Sequence, residues 1–183
     1  MTILHIDSSI NGDNSASREL SAKIVEQLLT APWGQDVIYR DLVSAPLPHL
    51  TLDAFSDTSV LDEFLDADVV VIGAPMYNFT LPTQLKAWID RIAIAGKTFR
   101  YSENGPEGLA GGKRVVIGLT RGGLYSNGVP AAALEHLETY LRGVFNFLGI
   151  DPEFVIAEGL AIDPSYREEA LRLALGETVR LAA

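Results

Sequence analysis

A segment rich in hydroxyl and amide side chains follows the first apolar run of the chain. It spans residues 7–17, reads DSSINGDNSAS and leads into a helical pattern. Backbone N–H groups and the dipole at the start of a helix attract anions, so Ser9, Ser15 and Ser17 can donate hydrogen bonds to a phosphate without a cationic side chain. The alternative is a polar turn in which Ser15 only caps the helix.

A second segment, residues 74–82, combines aromatic side chains with two prolines. It reads APMYNFTLP and follows a run of apolar residues. The prolines stiffen the backbone, so Met76, Tyr77 and Phe79 can form a platform for a planar ring system whose edge contacts backbone groups. The alternative is that these side chains pack into the core.

A third segment, residues 120–125, contains two adjacent glycines and reads TRGGLY. Gly122 and Gly123 permit a positive φ or a close approach of the backbone to a ligand, and their N–H groups can stabilise negative charge on it. The alternative is an ordinary tight turn. The segment at residues 7–17 contains neither G-x-G-x-x-G nor G-x-x-x-x-G-K-[ST], which argues against a Rossmann dinucleotide site and against a P-loop.

The composition restricts the chemistry further. The chain has 183 residues, a net charge of −10 and no cysteine. The missing cysteines exclude disulfides, thiolate-bound metals and thiol catalysis, so redox chemistry requires a bound cofactor. The acidic balance argues against nucleic acid and anionic membranes as partners. The three histidines show no metal-ligand spacing, and we expect structural roles for His5 in a strand and His136 in a helix.

Nothing at the start of the chain resembles a targeting signal. The first residues lack a basic region followed by an apolar core, which argues against a signal peptide. One of the longest apolar runs, Val69 to Met76, has eight residues, whereas a membrane-spanning helix needs about 20. We therefore expect a cytoplasmic protein.

Short β-branched runs alternate with helical patterns along the whole chain, which indicates one α/β domain over residues 1–183. The predicted helices have apolar faces near residues 20–28, 58–65, 85–92, 131–148 and 164–181. The predicted strands are Thr2–Ile6, Gln35–Tyr39, Val69–Gly73, Arg114–Leu119 and Phe154–Ala157. Five strand–helix units predict a doubly wound parallel sheet with helices on both faces.

The number of strands favours the flavodoxin-like order 2-1-3-4-5 over the six-stranded dinucleotide-binding order. In that order the loops after strands 1, 3 and 4 meet at the carboxyl edge, where open α/β sheets bind ligands. A phosphate cradle, a platform for a planar ring and a glycine-rich turn would then lie side by side. That combination matches a flavin mononucleotide (FMN) site. We interpret the glycines between 105 and 112 as a connecting excursion, because they precede a strand.

The chain resembles the FMN-dependent NADH:quinone oxidoreductase and azoreductase family over nearly its whole length. The matching runs are short and specific, above all MYNF at 76–79 and ENGPEGL at 103–109. The full set is Ser8-Ser9, Ser15 to Ser17, Ala74 to Phe79, Thr98 to Leu109, Arg121 to Gly123 and Ala157 to Gly159. The family commonly has Gln at the position of Ala16 and Ser at that of Thr120, and the stretch from His49 to Asp68 is shorter here.

The resemblance implies a role for each matching residue. The phosphate and ribityl end of FMN would contact Ser9, Ser15, Ala16 and Ser17. The isoalloxazine would contact Met76, Tyr77, Asn78, Phe79, Thr120, Arg121, Gly122 and Gly123. The acceptor pocket would be lined by Asn78, Phe79, Tyr101 and Phe147, the last two supplied across a homodimer interface. No side chain is expected to act as the catalytic acid or base.

The implied activity is reduction of quinones, or cleavage of aromatic azo compounds, by NADH or NADPH through bound FMN with ping-pong kinetics. One alternative is a flavodoxin-type electron carrier that does not oxidise NADH; the excursion at 98–109 argues against it. A receiver-type signalling domain would need an acidic residue at the end of strand 3, where this chain has Gly73, Ala74 and Pro75.

A wide apolar stripe supports the expected homodimer. Along the predicted helix from Ala131 to Leu148, the apolar residues are Leu134, Leu137, Leu141, Val144, Phe145, Phe147 and Leu148. This stripe is wider than one core contact requires, so part of it is expected to meet a second subunit.

Overall fold

The computed structural model describes residues 1–30, 36–126 and 128–182. Its main sheet has five parallel strands in the spatial order β2-β1-β3-β6-β7. The strands are β1 (Thr2–Asp7), β2 (Asp36–Asp41), β3 (Val69–Pro75), β6 (Arg114–Thr120) and β7 (Glu153–Ala157). Counted among themselves, they have the predicted order 2-1-3-4-5. The predicted second strand began at Gln35, which lies outside the described residues.

The remaining two strands form a hairpin within the predicted connecting excursion. They are β4 (Phe99–Ser102) and β5 (Gly105–Gly108), paired antiparallel. The hairpin lies close against the end of the helix at 138–147, because a Cβ on Gly108 would come within 2.1 Å of the Gly149 nitrogen. A hydrogen bond from the Ala110 N–H to the Leu148 carbonyl fixes the same contact.

In the described part of the chain, five α-helices cover both faces of the sheet. They are α1 (Ala16–Leu28), α2 (Ser59–Asp66), α3 (Thr83–Ile92), α4 (Glu138–Phe147) and α5 (Pro164–Glu177). Side chains of α1 and α5 pack on one face, and those of α2, α3 and α4 pack on the other. None of the helices that the structure describes is long and apolar enough to cross a membrane.

Strand β3 shows why the sheet requires both layers. All seven of its residues are buried. Val70 and Ile72 face the core under α2, α3 and α4, whereas Val69 and Val71 face the core under α1 and α5. A strand that is apolar on both faces is stable only between two layers of helices.

The long helix predicted from Ala131 to Leu148 is wrong, because the chain forms two shorter pieces. A 3-10 turn spans Pro130–Leu134, and α4 begins at Glu138. The Glu135 carboxylate accepts hydrogen bonds from the N–H groups of residues 137, 138 and 139, so it starts a new helix there. His136 therefore lies in the connection and not in a helix.

The apolar stripe is narrower than predicted for the same reason. Leu137, Leu141, Phe145 and Leu148 are completely buried in the core of their own chain. Leu134, in the 3-10 turn, is 46% exposed. Any surface that the stripe offers to a second subunit is therefore limited to Leu134 and the partly buried Val144 and Phe147. The predicted closing helix is also shorter, since α5 ends at Glu177 and a 3-10 turn follows at Thr178–Ala182.

Candidate functional site

A cleft opens at the carboxyl edge of the sheet, where the loops after β1, β3, β6 and β7 meet. Eight of the predicted cofactor-binding residues line it: Ser9, Ser15, Ala16, Met76, Tyr77, Thr120, Arg121 and Gly122. The other four, Ser17, Asn78, Phe79 and Gly123, are not among the lining residues. The predicted convergence of three loops is thus present in the structure.

The loop after β1 is fixed to the loop after β3 by hydroxyl groups. Ser8 Oγ donates to the Gly73 carbonyl at 2.8 Å. Tyr77 OH lies 3.2 Å from Ser9 Oγ and accepts a hydrogen bond from the Ile10 N–H at 3.1 Å. Two of the three predicted segments therefore hold each other in place before any ligand is considered.

Ser15 and Ser17 form the start of α1. Ser15 is the N-cap, and its Oγ accepts from the Arg18 N–H at 3.3 Å. The two serine Oγ atoms lie 3.1 Å apart. Ser15 lines the cleft, whereas Ser17 is 1% exposed and lies behind it. The two readings of this segment are compatible, because Ser15 caps the helix and still faces the cleft.

A buried polar network supports this loop from below. Asp7 accepts hydrogen bonds from Ser21 Oγ at 2.8 Å and from Tyr39 OH at 3.1 Å. Ser21 Oγ also lies 3.0 Å from His5 Nε2. Burial, and then the neighbouring Asp7 charge, raise the pKa of Tyr39 to about 12. His5 lies in a strand as predicted, and its burial lowers its pKa.

Arg18 connects the same network to β2. Its guanidinium makes two hydrogen bonds to the Asp41 carboxylate, at 2.8 and 3.0 Å, and one to the Ser9 carbonyl at 2.9 Å. The hydrogen bonds from Arg18 lower the pKa of Asp41 to about 2. A bidentate pair of this kind fixes orientation as well as charge, so it sets the position of Ser9.

The loop after β3 contains a strained turn. Asn78 and Phe79 have positive φ angles of 48° and 72°, a conformation that costs non-glycine residues about 1–3 kcal/mol each. Two hydrogen bonds between Tyr77 and Thr80 close the turn, and the His136 N–H donates to the Phe79 carbonyl at 3.0 Å. Among the described residues, the N–H groups of Asn78 and Phe79 have no acceptor.

The loop after β6 is held by a buried ionic cluster. Arg121 is 2% exposed, and its guanidinium lies 2.8 Å from Glu138, 3.1 Å from Glu135 and 3.4 Å from Glu158. Its backbone N–H donates to the Ala157 carbonyl. Arg121 therefore acts as a structural anchor through its side chain, which is a different role from the ligand contact that the resemblance implies.

Glu158 joins that cluster to the end of the loop. It accepts hydrogen bonds from the N–H groups of Tyr125 and Ser126 and from the Ser126 hydroxyl. Burial alone would raise the pKa of Glu158, but these hydrogen bonds and the Arg121 charge outweigh burial and lower it. The carboxylate is therefore ionised at neutral pH and holds the turn that contains Gly122 and Gly123.

The two glycines of this turn present unused hydrogen-bond donors. Neither has a positive φ. The lack of a side chain at these positions therefore matters because it lets a ligand approach the backbone closely, and not because it permits an unusual conformation. Their carbonyls accept from the N–H groups of Ala161 and Gly159. Within the described part of the chain, the N–H groups of Gly122 and Gly123 find no acceptor.

The four predicted acceptor-pocket residues fall into two groups within the chain. Phe79 is 43% exposed and packs edge-on against Tyr125, with ring centroids 6.4 Å apart; Asn78 is its neighbour in the same turn. Tyr101 and Phe147 both pack on Phe99, at 5.6 and 4.5 Å. Tyr101, on the hairpin, is 75% exposed.

Several lining residues were missed by the sequence reasoning. These are Asn11, Asn14, Pro75, Leu160, Ala161 and Arg167. Asn11 and Asn14 belong to the polar segment that the sequence singled out. The last three come from the loop after β7 and from α5, which no motif marked. Arg167 is the most consequential, because the sequence predicted a phosphate cradle without a cation.

Comparison with known proteins places the chain among flavoproteins of this fold. A family model described as flavodoxin-like fold matches residues 1–181. The FMN-dependent NADH:quinone oxidoreductase 2 of Bradyrhizobium diazoefficiens is 53% identical over 201 aligned positions, with both chains fully covered. The FMN-dependent NADH:quinone oxidoreductase of Methylorubrum extorquens strain PA1 is 54% identical over 202 positions, again with full coverage.

Solved structures give the same result. An azoreductase from Bacillus anthracis strain Sterne superposes with a TM-score of 0.90 at 30% identity, covering 100% of this chain and 98% of that one. An FMN-dependent NADH-azoreductase from the Ames Ancestor strain, solved in complex with FMN, has a TM-score of 0.86 at 27% identity over 100% and 99% of the two chains.

Proposed function

The chain belongs to the FMN-dependent NADH:quinone oxidoreductase and azoreductase family, within the flavodoxin-like fold, and from that membership we propose its activity. It reduces quinones, and cleaves aromatic azo compounds, with NADH as electron donor and FMN as bound cofactor. The observation that carries the proposal is the cleft at the carboxyl edge, which is lined by hydroxyls, amides and an arginine. The alternative of an electron carrier lacks support among the relatives, whose names specify NADH oxidation.

The residues of the cleft fit FMN in charge and in donor chemistry. The phosphate end requires donors. The loop after β1 supplies Ser9, and the start of α1 supplies Ser15 and the N-terminal N–H groups of the helix. Ala16 provides its backbone at this point. Ser17 orients Ser15 through their 3.1 Å contact. No carboxylate is found among the described residues that line the cleft, although the chain has 24 acidic residues.

The ring system would lie between the loops after β3 and β6. Met76 and Tyr77 line the cleft on one side, and Thr120, Arg121 and Gly122 line it on the other. The unpaired N–H groups of Asn78, Phe79, Gly122 and Gly123 are available to donate to polar atoms at the ring edge. Donors fixed in advance stabilise charge that develops during reaction, as an oxyanion hole does.

Bound FMN supplies the hydride chemistry, taking a hydride from NADH and passing reducing equivalents to the acceptor. The protein contributes binding, orientation and fixed donors. No side chain in the cleft is required as acid or base. Because donor and acceptor would use the same exposed face in turn, the expected kinetics are ping-pong.

The oligomeric state belongs to the same proposal. We propose a homodimer in which Tyr101 and Phe147 complete the acceptor pocket of the neighbouring subunit, beside its Asn78 and Phe79. The exposure of Tyr101 on a hairpin that is fixed to α4 supports this arrangement. The single domain over 1–183 and the cytoplasmic location stay predictions. Sedimentation tests the dimer, which requires a species near twice 19.8 kDa.

The visible absorption spectrum of the purified protein is the first test. We expect a flavin spectrum with about one FMN per chain, and FAD should bind more weakly. NADH should be consumed when a small quinone is added, with parallel double-reciprocal lines. A bound flavin without NADH oxidation would favour the electron carrier. Intersecting lines would contradict the shared face, and a protein without flavin would refute the proposed function.

A further inference from the structure

Arg167 is a cation in the cleft that has no ion pair. It is half-buried, on the first turns of α5, and it lines the cleft together with Ser9 and Ser15. Within the part of the chain that the structure describes, its guanidinium has no carboxylate within 4.0 Å and no hydrogen-bond acceptor. A partly buried arginine without a partner is costly unless a ligand supplies the negative charge.

The other arginines near the cleft are already neutralised. Arg121 contacts three carboxylates. Arg18 is held by both oxygens of Asp41. Arg172, five residues further along α5 and exposed, pairs with Glu169. Arg167 is therefore the cation of this region whose charge is available to a ligand.

The position of Arg167 in its helix points the same way. It is the fourth residue of α5, near the positive end of the helix dipole, where a cation is disfavoured and an anion is favoured. The carboxylate of Asp163, the N-cap residue, accepts hydrogen bonds from the Ser165 hydroxyl and the Tyr166 N–H and makes no ion pair with Arg167. An anion in the cleft would be attracted by this helix end and by Arg167 together.

Backbone contacts hold α5 in this position. The N–H groups of Leu160 and Ala161 donate to the carbonyls of Arg121 and Gly122. These hydrogen bonds fix the segment before α5 to the loop after β6. The start of α5 and the start of α1 consequently border the same cleft, with Arg167 from one helix and Ser15 from the other.

We infer that Arg167 binds the phosphate of the flavin and makes the site select FMN over riboflavin, which lacks that phosphate. This inference rests on the proposed function. Arg167 is then a binding and specificity residue that acts on the phosphate and takes no part in the hydride chemistry. The side chain of Ala16 offers no donor at this end of the cleft, so Arg167 adds the charged donor that the hydroxyls lack.

The test measures flavin affinity and not turnover. Flavin-loaded protein is diluted, and the fluorescence of released FMN gives its dissociation constant; competition against FMN gives that of riboflavin. Arg167→Gln should weaken FMN binding about 10- to 150-fold, the value of a hydrogen bond to a charged group, and leave riboflavin within about twofold. Arg167→Lys should recover part of the loss, because it keeps the charge without the bidentate geometry.

Arg172→Gln is the matched control, since it removes an exposed arginine of the same helix and should change neither constant. Equal weakening of FMN and riboflavin by Arg167→Gln would show a structural role and overturn the inference. Unchanged FMN affinity would also overturn it. Wild-type protein that binds no FMN would instead refute the proposed function, so the two failures are distinguishable.

Discussion

The two ends of the site differ in how far one chain completes them. At the phosphate end, Ser9 is joined to Tyr77 and Arg18, and Arg18 is joined to Asp7 through Tyr39, by hydrogen bonds of 2.9–3.2 Å. The donors are therefore in place without a ligand. At the acceptor end, the aromatic residues are divided between two clusters. Phe79 and Tyr101 are 43% and 75% exposed, whereas Phe147 is partly buried.

This difference indicates which properties each region controls. Cofactor affinity depends on a rigid network inside one chain, because preorganised groups lose little freedom on binding. Under the proposed function, acceptor choice would depend on Phe79, on the exposed Tyr101 and on the second subunit that would cover them. Variants at the phosphate end should therefore change FMN affinity, and variants at the acceptor end should change acceptor kinetics. A variant that changes both would contradict this division.

The largest effect is expected from Gly73→Ala, under the phosphate end. A Cβ there would lie 2.3 Å from Asp7 Oδ1 and 3.0 Å from the Ser17 carbonyl. Overpacking and loss of the Asp7 hydrogen bonds should lower the free energy of unfolding by about 2–4 kcal/mol and weaken FMN binding. Urea denaturation and FMN titration measure both.

Gly118→Ala provides the control, because Gly118 pairs with Gly73 on the neighbouring strand. The nearest atoms to its Cβ would be Leu20 Cγ at 3.2 Å, Ile24 Cδ1 at 3.3 Å and the Ser21 nitrogen at 3.4 Å, which are longer contacts than at Gly73. Gly118→Ala should lower the free energy of unfolding by less than Gly73→Ala does, and it should leave FMN affinity unchanged. Equal loss of FMN affinity in both variants would contradict the role of the Asp7 network.

Gly108→Ala tests the acceptor end in the same way. The new Cβ would clash with the backbone of Leu148 and Gly149, so the hairpin must move away from α4, at a cost of about 1–3 kcal/mol. We expect a raised KM for quinone with FMN affinity unchanged. Gly143→Ala, in open space on α4, should stabilise the helix by about 0.5–1 kcal/mol. Loss of FMN from Gly108→Ala would break the separation between the two ends.

Asp41→Asn tests the pH dependence of the phosphate end. The pKa of Asp41 in the folded chain is lowered to about 2, so its stabilising effect is present above the unfolded pKa of about 4 and is lost as the pH falls through both values. At neutral pH the variant should lose about 1–2 kcal/mol, in line with a charged hydrogen bond.

Urea midpoints measured downwards from neutral pH check this sign. The difference in free energy of unfolding between wild type and Asp41→Asn should become smaller as the pH falls below about 5. Asp36→Asn, exposed on the same strand, should stay within about 0.5 kcal/mol of wild type throughout. A gap that widens in acid would show that Arg18 and Asp41 do not stabilise the fold as a pair.

The smallest effect on stability is expected from Tyr101→Ala. The side chain is 75% exposed and packs edge-to-face with Phe99, so the free energy of unfolding should change by less than about 0.5 kcal/mol. FMN affinity should also be unchanged, whereas the KM for quinone should rise several-fold. Unaltered kinetics in a confirmed dimer would remove Tyr101 from the acceptor pocket.

Much of this fold was predictable because its signals are local. The apolar runs predict the five strands, and the number of strands predicts the order of the sheet. That order predicts that three polar loops meet at its carboxyl edge. Phe79 was different, because its positive φ is imposed by the two Tyr77–Thr80 hydrogen bonds that close the turn and by the His136 N–H that donates to its carbonyl. The break before α4 depends on the Glu135 carboxylate, which caps the new helix. In the sequence, Glu135 cannot be distinguished from a glutamate inside a continuous helix.

Arg167 escaped the sequence reasoning because its surroundings come from distant segments. The nearest predicted ligand loop ends more than forty residues earlier in the sequence. One local signal existed: an arginine in the first turns of a helix that begins with Asp163 and Pro164 opposes the helix dipole. Such a placement is typical of a residue selected for a ligand, although it does not identify which one.

The Arg121 cluster has a consequence for the order in which the chain folds. Its partners, Glu135, Glu138 and Glu158, lie 14, 17 and 37 residues away, so the guanidinium is neutralised only after β6, α4 and β7 have docked. Because these contacts need three elements to be docked at once, we expect them to form late in folding and to be weak in the transition state. Loss of this cluster should therefore speed unfolding much more than it slows folding, which makes Arg121 a determinant of how long the native protein persists.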